Sequence, residues 1–210
     1  MQGIVRPDSD LIERALRFGS ATLHEAAGKR GAFPYGIKPV SPGMRLCGPA
    51  VTVSSPPMDN LTIHQAIYQA LPGDVLVVVV GGEYEGGYWG EIMTFAAGQR
   101  RIGGLVIDGC VRDADLIAQM AFPVFSRGLS IRGTDKKGGG RINAAVAVGE
   151  VTVHPGDLVV GDRDGVVVIP RQDVASVLEE ARKREAKEDR VKRDLAAGKS
   201  TLEIYGWDGK

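Results

Sequence analysis

Two acids and an arginine stand where two consecutive strands are expected to end. Glu91 follows the apolar run 75–80 and a Gly-rich turn, and Arg112-Asp113 follows a second apolar run at 105–108. Turns from strand to helix present side chains and free backbone N–H groups along one edge of a sheet. Carboxylate oxygens beside an arginine can hold Mg²⁺ or Mn²⁺ next to a substrate carboxylate.

Each of these residues also has a simpler structural explanation. Glu91 is favourably charged for a helix start, and Asp113 could serve only as a helix cap. Arg112 is harder to explain in this way, because a cation at a helix start opposes the helix dipole and suggests a bound anion. The same helix start leaves the amides of Ile92 and Met93 free for a carboxylate or phosphate. With only two acids nearby, a metal would keep several waters, which suits catalysis.

The apolar periodicity predicts an α/β protein in which strands and helices alternate. A helical pattern covers 8–29, with Thr22 capping a short second helix. Gly109 is expected in a turn, and 127–143 in a basic, Gly-rich loop. Strands are predicted at 47–53, 75–80, 105–108, 122–125, 145–153, 157–161 and 165–169, and further helices at 61–71, about 91–98, 112–120 and 172–197.

Length and composition limit the classes of protein to which the chain can belong. The chain has 210 residues, enough for the single domain predicted over 1–210, and carries 26 basic and 26 acidic residues. This balance gives no sign of nucleic-acid binding. No window reaches the roughly 18 apolar residues of a membrane span, and the N-terminus lacks a signal peptide's apolar region. Cys47 and Cys110 belong to no paired motif, so reduced thiols in a cytoplasmic protein are expected.

The last predicted helix changes character along its length. Its apolar face ends at Ala181, and from Arg182 to Asp194 nearly every residue is charged. A solvated helix end is the usual explanation for such a run. The alternative is that the helix and tail, about 172–210, contact a neighbouring subunit.

Several segments together resemble the RraA-like superfamily. Within it, the chain is most similar to the class II aldolases for 4-hydroxy-4-methyl-2-oxoglutarate (HMG) and 4-carboxy-4-hydroxy-2-oxoadipate (CHA). The resemblance implies a swivelling β/β/α fold, with central sheets flanked by helices and a long C-terminal helix. It also implies homotrimers or homohexamers with active sites between subunits. The matching segments are SATLHEAAGKRGAFP (20–34), CGPAVTV (47–53), DNLTIHQAIYQALPGDVLVV (59–78), GEIMTFAA (90–97), GGLVIDGCVRD (103–113), PGDLVVGDRDGVVVIP (155–170), REAKEDR (184–190) and GKSTLEIYGW (198–207).

The resemblance assigns the two acids to a catalytic Mg²⁺ or Mn²⁺. Asp113 would be the direct metal ligand, and Glu91 would hold metal-bound waters. Glu91 departs from the aldolase pattern, which typically has aspartate there, and its extra methylene shifts the carboxylate by roughly 1 Å. Direct metal contact by Glu91 is therefore a second possibility. The regulator branch of the superfamily tends to lack an acid at this position, so Glu91 favours an enzyme.

The remaining site residues implied by the resemblance bind the substrate or come from a neighbour. Arg112 and the amides of Ile92 and Met93 would bind the pyruvyl half of the substrate. A glutamate on the last helix of a neighbouring subunit would complete the metal's water shell. Glu188 matches best, and Glu185 is the second choice.

The implied reaction is retro-aldol cleavage of HMG or CHA to pyruvate and a second oxo acid, in the catabolism of aromatic compounds. Oxaloacetate decarboxylation passes through the same enolate and is the expected side activity. One alternative is a non-catalytic regulator of ribonuclease activity that acts through protein–protein contact. Another is a lyase or decarboxylase with the same metal site for a different 2-oxo acid.

Other polar residues are weaker site candidates. His24, His64 and His154 lie in separate segments without ligand spacing, which favours structural roles. Among them His24 is the best candidate for a site role, because its segment matches the family closely. A group of cations could meet a substrate's distal carboxylate, although a solvated loop explains them equally well. These cations are Arg127, Arg132, Lys136, Lys137 and Arg141.

Overall fold

The computed structural model describes residues 3–209, so Met1, Gln2 and Lys210, which the domain and tail predictions include, lie outside the described residues. The strands are β1 (Lys38–Pro39), β2 (Leu46–Ser54), β3 (Val75–Val79), β4 (Gly104–Val111), β5 (Val124–Leu129), β6 (Arg141–Ile142), β7 (Val146–Val148), β8 (Val151–Val153), β9 (Leu158–Gly161) and β10 (Val166–Ile169). The helices are α1 (Ser9–Ala15), α2 (Ser20–Ala26), α3 (Leu61–Gln69), α4 (Glu91–Gln99), α5 (Ala114–Gln119), α6 (Val174–Ala196) and α7 (Thr201–Tyr205). The predicted α/β class and long C-terminal helix are confirmed.

One sheet, in the order β1-β5-β4-β3-β2-β9-β10, organises the fold. Strands β2 to β5 pair in parallel, and each is connected to the next through one of the helices α3, α4 and α5. On the other side of β2, strands β9 and β10 pair antiparallel. The segment 32–39 links the two edges, because Ala32 bridges to Val167 and β1 pairs with β5. The sheet is therefore nearly closed.

The parallel strands are buried on both faces. Val75 to Val78 in β3 and Leu105 to Ile107 in β4 are all buried, as expected for unbroken apolar runs covered by helices. The carboxyl ends of these two strands lead into the turns before α4 and α5. In such sheets that edge is where ligands bind.

The long helix α6 has the two halves that the sequence indicates. Its first half packs Val174, Val177, Leu178 and Ala181 with α1, α2 and the β9–β10 pair. Beyond Ala181 the side chains are mostly exposed and charged. Within residues 3–209, no helix has the length and apolar character that crossing a membrane requires.

The turn predicted at Gly109 is wrong, because β4 runs on to Val111. The pairing of β4 with β5 shifts register between Ile107 and Cys110. A Cβ at position 109 would lie 3.0 Å from Val80 Cγ2 and 3.4 Å from Tyr88. Gly109 therefore allows close packing against Val80 and Tyr88 and does not form a turn.

Three other element predictions need correction. The strand predicted at 145–153 is the hairpin β7–β8, which turns at Gly149, where φ is +59°. Helix α2 begins at Ser20, and its start is capped by Asp162, whose carboxylate accepts hydrogen bonds from the Ser20 amide (2.7 Å) and hydroxyl (2.6 Å). Thr22 is therefore not the cap. Helix α7 was not predicted, although Ser200 and Glu203 form a reciprocal capping box at its start.

Candidate functional site

A cavity of about 280 Å³ lies at the carboxyl ends of β3 and β4. Glu91, Ile92, Met93, Arg112 and Asp113 all line it, so the two turns meet at one sheet edge as their spacing predicts. The volume is near the lower end for ligand pockets and suits a small molecule.

Asp113 has an uncommon backbone conformation for a residue with a side chain. Its φ and ψ are 60° and 37°, in the left-handed region, which aspartate tolerates better than most residues. Its carboxylate makes no capping hydrogen bond to α5. Instead, Oδ2 accepts a hydrogen bond of 3.0 Å from the Glu91 amide. Asp113 therefore does not cap α5, the helix that it precedes, but accepts from the first residue of α4.

Glycine allows the turn before α4 to approach Asp113 closely. A Cβ on Gly90 would collide with Asp113 Oδ2, and one on Gly87 would lie 2.5 Å from the Ser130 carbonyl oxygen. The Arg112 amide donates to the Trp89 carbonyl at 2.8 Å, which binds the two turns together along their backbones. This main-chain contact and the hydrogen bond to Asp113 Oδ2 together fix the relative position of Glu91 and Asp113.

Unpaired donors make this edge of the cavity attractive to anions. The Arg112 guanidinium is half-exposed, and its Nε lies 3.6 Å from Asp113 Oδ2. Within residues 3–209, no hydrogen bond engages the rest of that guanidinium or the amides of Ile92 and Met93. A helix start and an arginine with free donors suit a carboxylate.

The acids in this cavity suit a metal ion that keeps several water ligands better than one whose ligands all come from the protein. Across residues 3–209, no group of three or more His, Cys, Asp or Glu side chains could hold a metal ion. Asp113 Oδ1 accepts no hydrogen bond in the same range, which leaves it available. Mg²⁺ is commonly held by one or two carboxylates while keeping several waters, so Asp113 and Glu91 suit it.

The glutamates predicted from a neighbour lie apart from the cavity of their own chain. Glu188 is on α6, where Oε1 is 2.9 Å from Arg184 Nε, and Glu185 is on the same helix. Neither residue lines the cavity. A role for either of them therefore requires a second copy of the chain, and it stays a prediction.

Residues 9–168 match the family model for RraA-like proteins, described as Aldolase/RraA. The chain belongs to the RraA-like family. A Halalkalibacterium halodurans protein named "Putative 4-hydroxy-4-methyl-2-oxoglutarate aldolase" is 37% identical over 80% of each chain. The crystal structure of an uncharacterized Pseudomonas syringae protein is 32% identical with a TM-score of 0.83, covering 95% of this chain and 98% of that one. Streptomyces coelicolor RraAS2, described as an unusual member of the RNase ES inhibitor RraA family, is 28% identical with a TM-score of 0.79, covering 90% and 100%.

The structure corrects the ranking of the histidines in this RraA-like chain. His64 lines the cavity, from α3, whereas His24 lies outside it with Nδ1 3.1 Å from the Arg30 carbonyl oxygen. Burial, together with the positive charge of Lys136, lowers the pKa of His64. Asn60 is the residue before α3 and lies four positions ahead of His64, so the sequence carried no helical-face signal for the pair.

Of the cations between 127 and 143, Lys136 is the one that lines the cavity. Arg127 pairs with Asp108, and Arg132 lies within 3.5 Å of Glu83 and Glu85. Lys137 pairs with Asp135 at 2.6 Å. The predicted cationic loop therefore offers Lys136 to a ligand.

Asp59 holds this loop against the cavity. Its buried carboxylate accepts hydrogen bonds from the amides of Leu61, Lys137 and Gly138. Burial acts to raise the pKa of Asp59, but these three bonds and the positive charge of Lys136 outweigh it, so the pKa lies below its ordinary value. The loop residues Gly133, Thr134 and Lys136 reach the cavity as a result.

Gly90→Ala is expected to lower the free energy of unfolding by about 1–3 kcal/mol, because the new methyl group must displace Asp113. The matched control is Gly98→Ala, at a position in α4 where a Cβ meets nothing within 4 Å. That variant should gain up to about 1 kcal/mol of stability. Urea unfolding measures both effects. Unchanged stability of Gly90→Ala would show that the close approach is dispensable.

Asp59→Asn is expected to lower the free energy of unfolding at pH 7 by about 1–3 kcal/mol, because one amide loses its acceptor. Since the folded pKa is depressed, the stabilisation by Asp59 is complete above its unfolded pKa of about 3.9 and disappears as pH falls through the lower folded value. The variant should therefore show a flatter stability profile below pH 4. Asp135→Asn, at an exposed position in the same loop, is the control. Equal acid sensitivity of the Asp59 variant and wild type would contradict this role.

Proposed function

We propose that this RraA-like protein is a divalent-metal-dependent lyase. Its reaction would be the retro-aldol cleavage of a 4-hydroxy-2-oxo acid with a second carboxylate, HMG or CHA, to pyruvate and a second oxo acid. The observation that carries the proposal is the position of the Arg112 guanidinium beside Asp113 Oδ1 and the amides of Ile92 and Met93, none of which makes a hydrogen bond within residues 3–209. The similarity to the Halalkalibacterium halodurans protein supports the substrate class.

In this proposal Arg112 and the amides of Ile92 and Met93 bind the carboxylate and 2-oxo oxygen of the pyruvyl half. When the C3–C4 bond breaks, its electron pair moves into the pyruvyl half and forms an enolate. The fixed positive charge of Arg112 stabilises the negative charge that develops on the 2-oxo oxygen. Oxaloacetate decarboxylation produces the same enolate and is the proposed side activity.

A divalent metal held by Asp113, with Glu91 directed at its waters, would supply Lewis-acid stabilisation of the same charge. The C4 hydroxyl must lose its proton as the bond breaks. Glu91 lines the cavity, and its carboxylate accepts no hydrogen bond within residues 3–209. It is therefore suited to position a water that accepts this proton and returns it to C3 of the enolate, which gives pyruvate.

We further propose a homotrimer or homohexamer in which a second copy covers the cavity. Large apolar side chains are exposed close to the site: Ile92 (75%) and Phe95 (60%) on α4, and Leu129 and Ile131 in the groove beside Arg112 and Asp113. Covering them would remove apolar surface from water. The charged half of α6 would then bring Glu188 to the neighbour's cavity.

A second candidate function rests on the similarity to RraAS2. In that case the protein would bind a ribonuclease and would need no turnover. The two candidates differ in whether Asp113 and Arg112 are required, because protein–protein contact alone does not use a free carboxylate within a small cavity.

Wild-type protein with Mg²⁺ or Mn²⁺ should release pyruvate from HMG and from oxaloacetate, and EDTA should abolish both activities. Asp113→Asn should lower kcat/KM by about 100- to 1,000-fold, because the charge at the site is lost. Asparagine tolerates the left-handed backbone, so the fold should persist. Asp10→Asn, in the first turn of α1, is the matched control and should retain activity.

Each other outcome of this assay has a defined meaning. Pyruvate from oxaloacetate alone would keep the enolate chemistry and reject HMG as the substrate. Full activity of Asp113→Asn would reject the metal assignment. The absence of pyruvate from folded, metal-loaded wild type, together with capture of a ribonuclease, would favour the regulator.

Glu188→Gln is expected to lower pyruvate release, and mixing it with Asp113→Asn should restore activity. A hybrid interface pairs an intact Asp113 from one chain with an intact Glu188 from the other, so random mixing restores about a quarter of the sites. Glu180→Gln, at an exposed position on the same helix, is the matched control. Co-assembly of the two variants followed by the pyruvate assay measures the effect. Full activity of Glu188→Gln, or no recovery in hybrids, would contradict a site shared between chains.

A further inference from the structure

The cavity has a second polar wall that the proposed chemistry at Arg112 and Asp113 does not use. Asn60 contributes to it from the position before α3, His64 from α3, and Lys136 from the loop held by Asp59. His64 is partly buried, yet neither ring nitrogen has a hydrogen-bond partner within residues 3–209. The Lys136 ammonium has no ion-pair partner in the same range.

The position of this wall is fixed by Asn60. Its side-chain amide is buried and donates to the Tyr88 carbonyl at 2.9 Å and to Met93 Sδ at 3.5 Å. These bonds tie the start of α3 to the turn that precedes α4. The separation between His64 and the Arg112 wall is therefore set before a ligand binds.

We propose that His64 and Lys136 form a second anion subsite, which binds the carboxylate on the half of the substrate that leaves. This inference rests on the proposed function, in which Arg112 and the α4 amides already hold the pyruvyl carboxylate. A cavity of about 280 Å³ admits one small dianion, and its two carboxylates need separate partners. His64 and Lys136 are thus proposed as specificity-determining residues.

The chemistry of the two side chains is complementary. Because burial and the charge of Lys136 lower the pKa of His64, its ring is neutral at neutral pH. A neutral imidazole donates one N–H hydrogen bond, while Lys136 supplies the positive charge. This combination avoids the repulsion of two adjacent cations when no ligand is bound.

The test compares two ligands that cannot undergo retro-aldol cleavage because they lack a C4 hydroxyl. 2-Oxoglutarate carries both carboxylates, and 2-oxobutyrate is the same molecule without the distal one. Titration calorimetry with Mg²⁺ present should show that wild type binds 2-oxoglutarate about 10- to 100-fold more tightly, as expected for charged hydrogen bonds.

Two variants remove the subsite, and each has a control. His64→Leu and Lys136→Met should remove most of the preference for 2-oxoglutarate while leaving the Kd for 2-oxobutyrate within about twofold of wild type. His64→Gln keeps an N–H donor and should retain part of the preference. Lys137→Met is the neighbouring control, because Lys137 pairs with Asp135 and does not line the cavity.

The outcomes separate this inference from the proposed function. If wild type binds both ligands equally, or if both variants keep the full preference, the second subsite is rejected. A parallel loss of affinity for both ligands in the variants would also reject it, because it would indicate a structural role. Pyruvate release from HMG by wild type tests the proposed function independently of these titrations.

Discussion

The hydrogen bond from the Glu91 amide to Asp113 Oδ2 is the contact on which the geometry of the site depends. It ties the turn after β3 to the turn after β4, which the bond from the Arg112 amide to the Trp89 carbonyl also joins. It also requires two unusual local features, a glycine at position 90 and a left-handed aspartate at position 113. Left-handed backbone costs a non-glycine residue roughly 1–2 kcal/mol, and such strain is concentrated at functional sites.

The charges around the cavity follow from this arrangement. Asp113 faces the Glu91 amide with one oxygen and leaves the other available, while Arg112 lies too far from Oδ2 to make a full hydrogen bond. The guanidinium therefore keeps its donors for a ligand. On the other wall, Asp59 positions the loop that carries Lys136, at the expense of its own solvation. The acids Asp113 and Asp59 thus hold backbone segments in place, whereas the cations Arg112 and Lys136 keep donors for a ligand.

Local patterns were sufficient to predict the strand at β3, the start of α4 near Glu91 and the meeting of Glu91 with Arg112 and Asp113. These features depend on apolar runs and on the rule that parallel strands end at one edge. The path of β4 through Gly109 was not predictable, since only packing against Val80 and Tyr88 distinguishes it from a turn. His64 entered the cavity unpredicted because its position depends on the bond between Asn60 and Tyr88. The role of Glu188 depends on a second chain, so it stays a prediction.

The exchange of pyruvate methyl protons directly tests the proposal that this chain stabilises the enolate of pyruvate beside Arg112. In D₂O with Mg²⁺, the protein should replace the methyl protons of pyruvate with deuterium, as followed by proton NMR. Arg112→Met should lose the exchange by about 100-fold or more while the fold is retained. Pyruvate that binds without any exchange above the buffer rate would contradict the account.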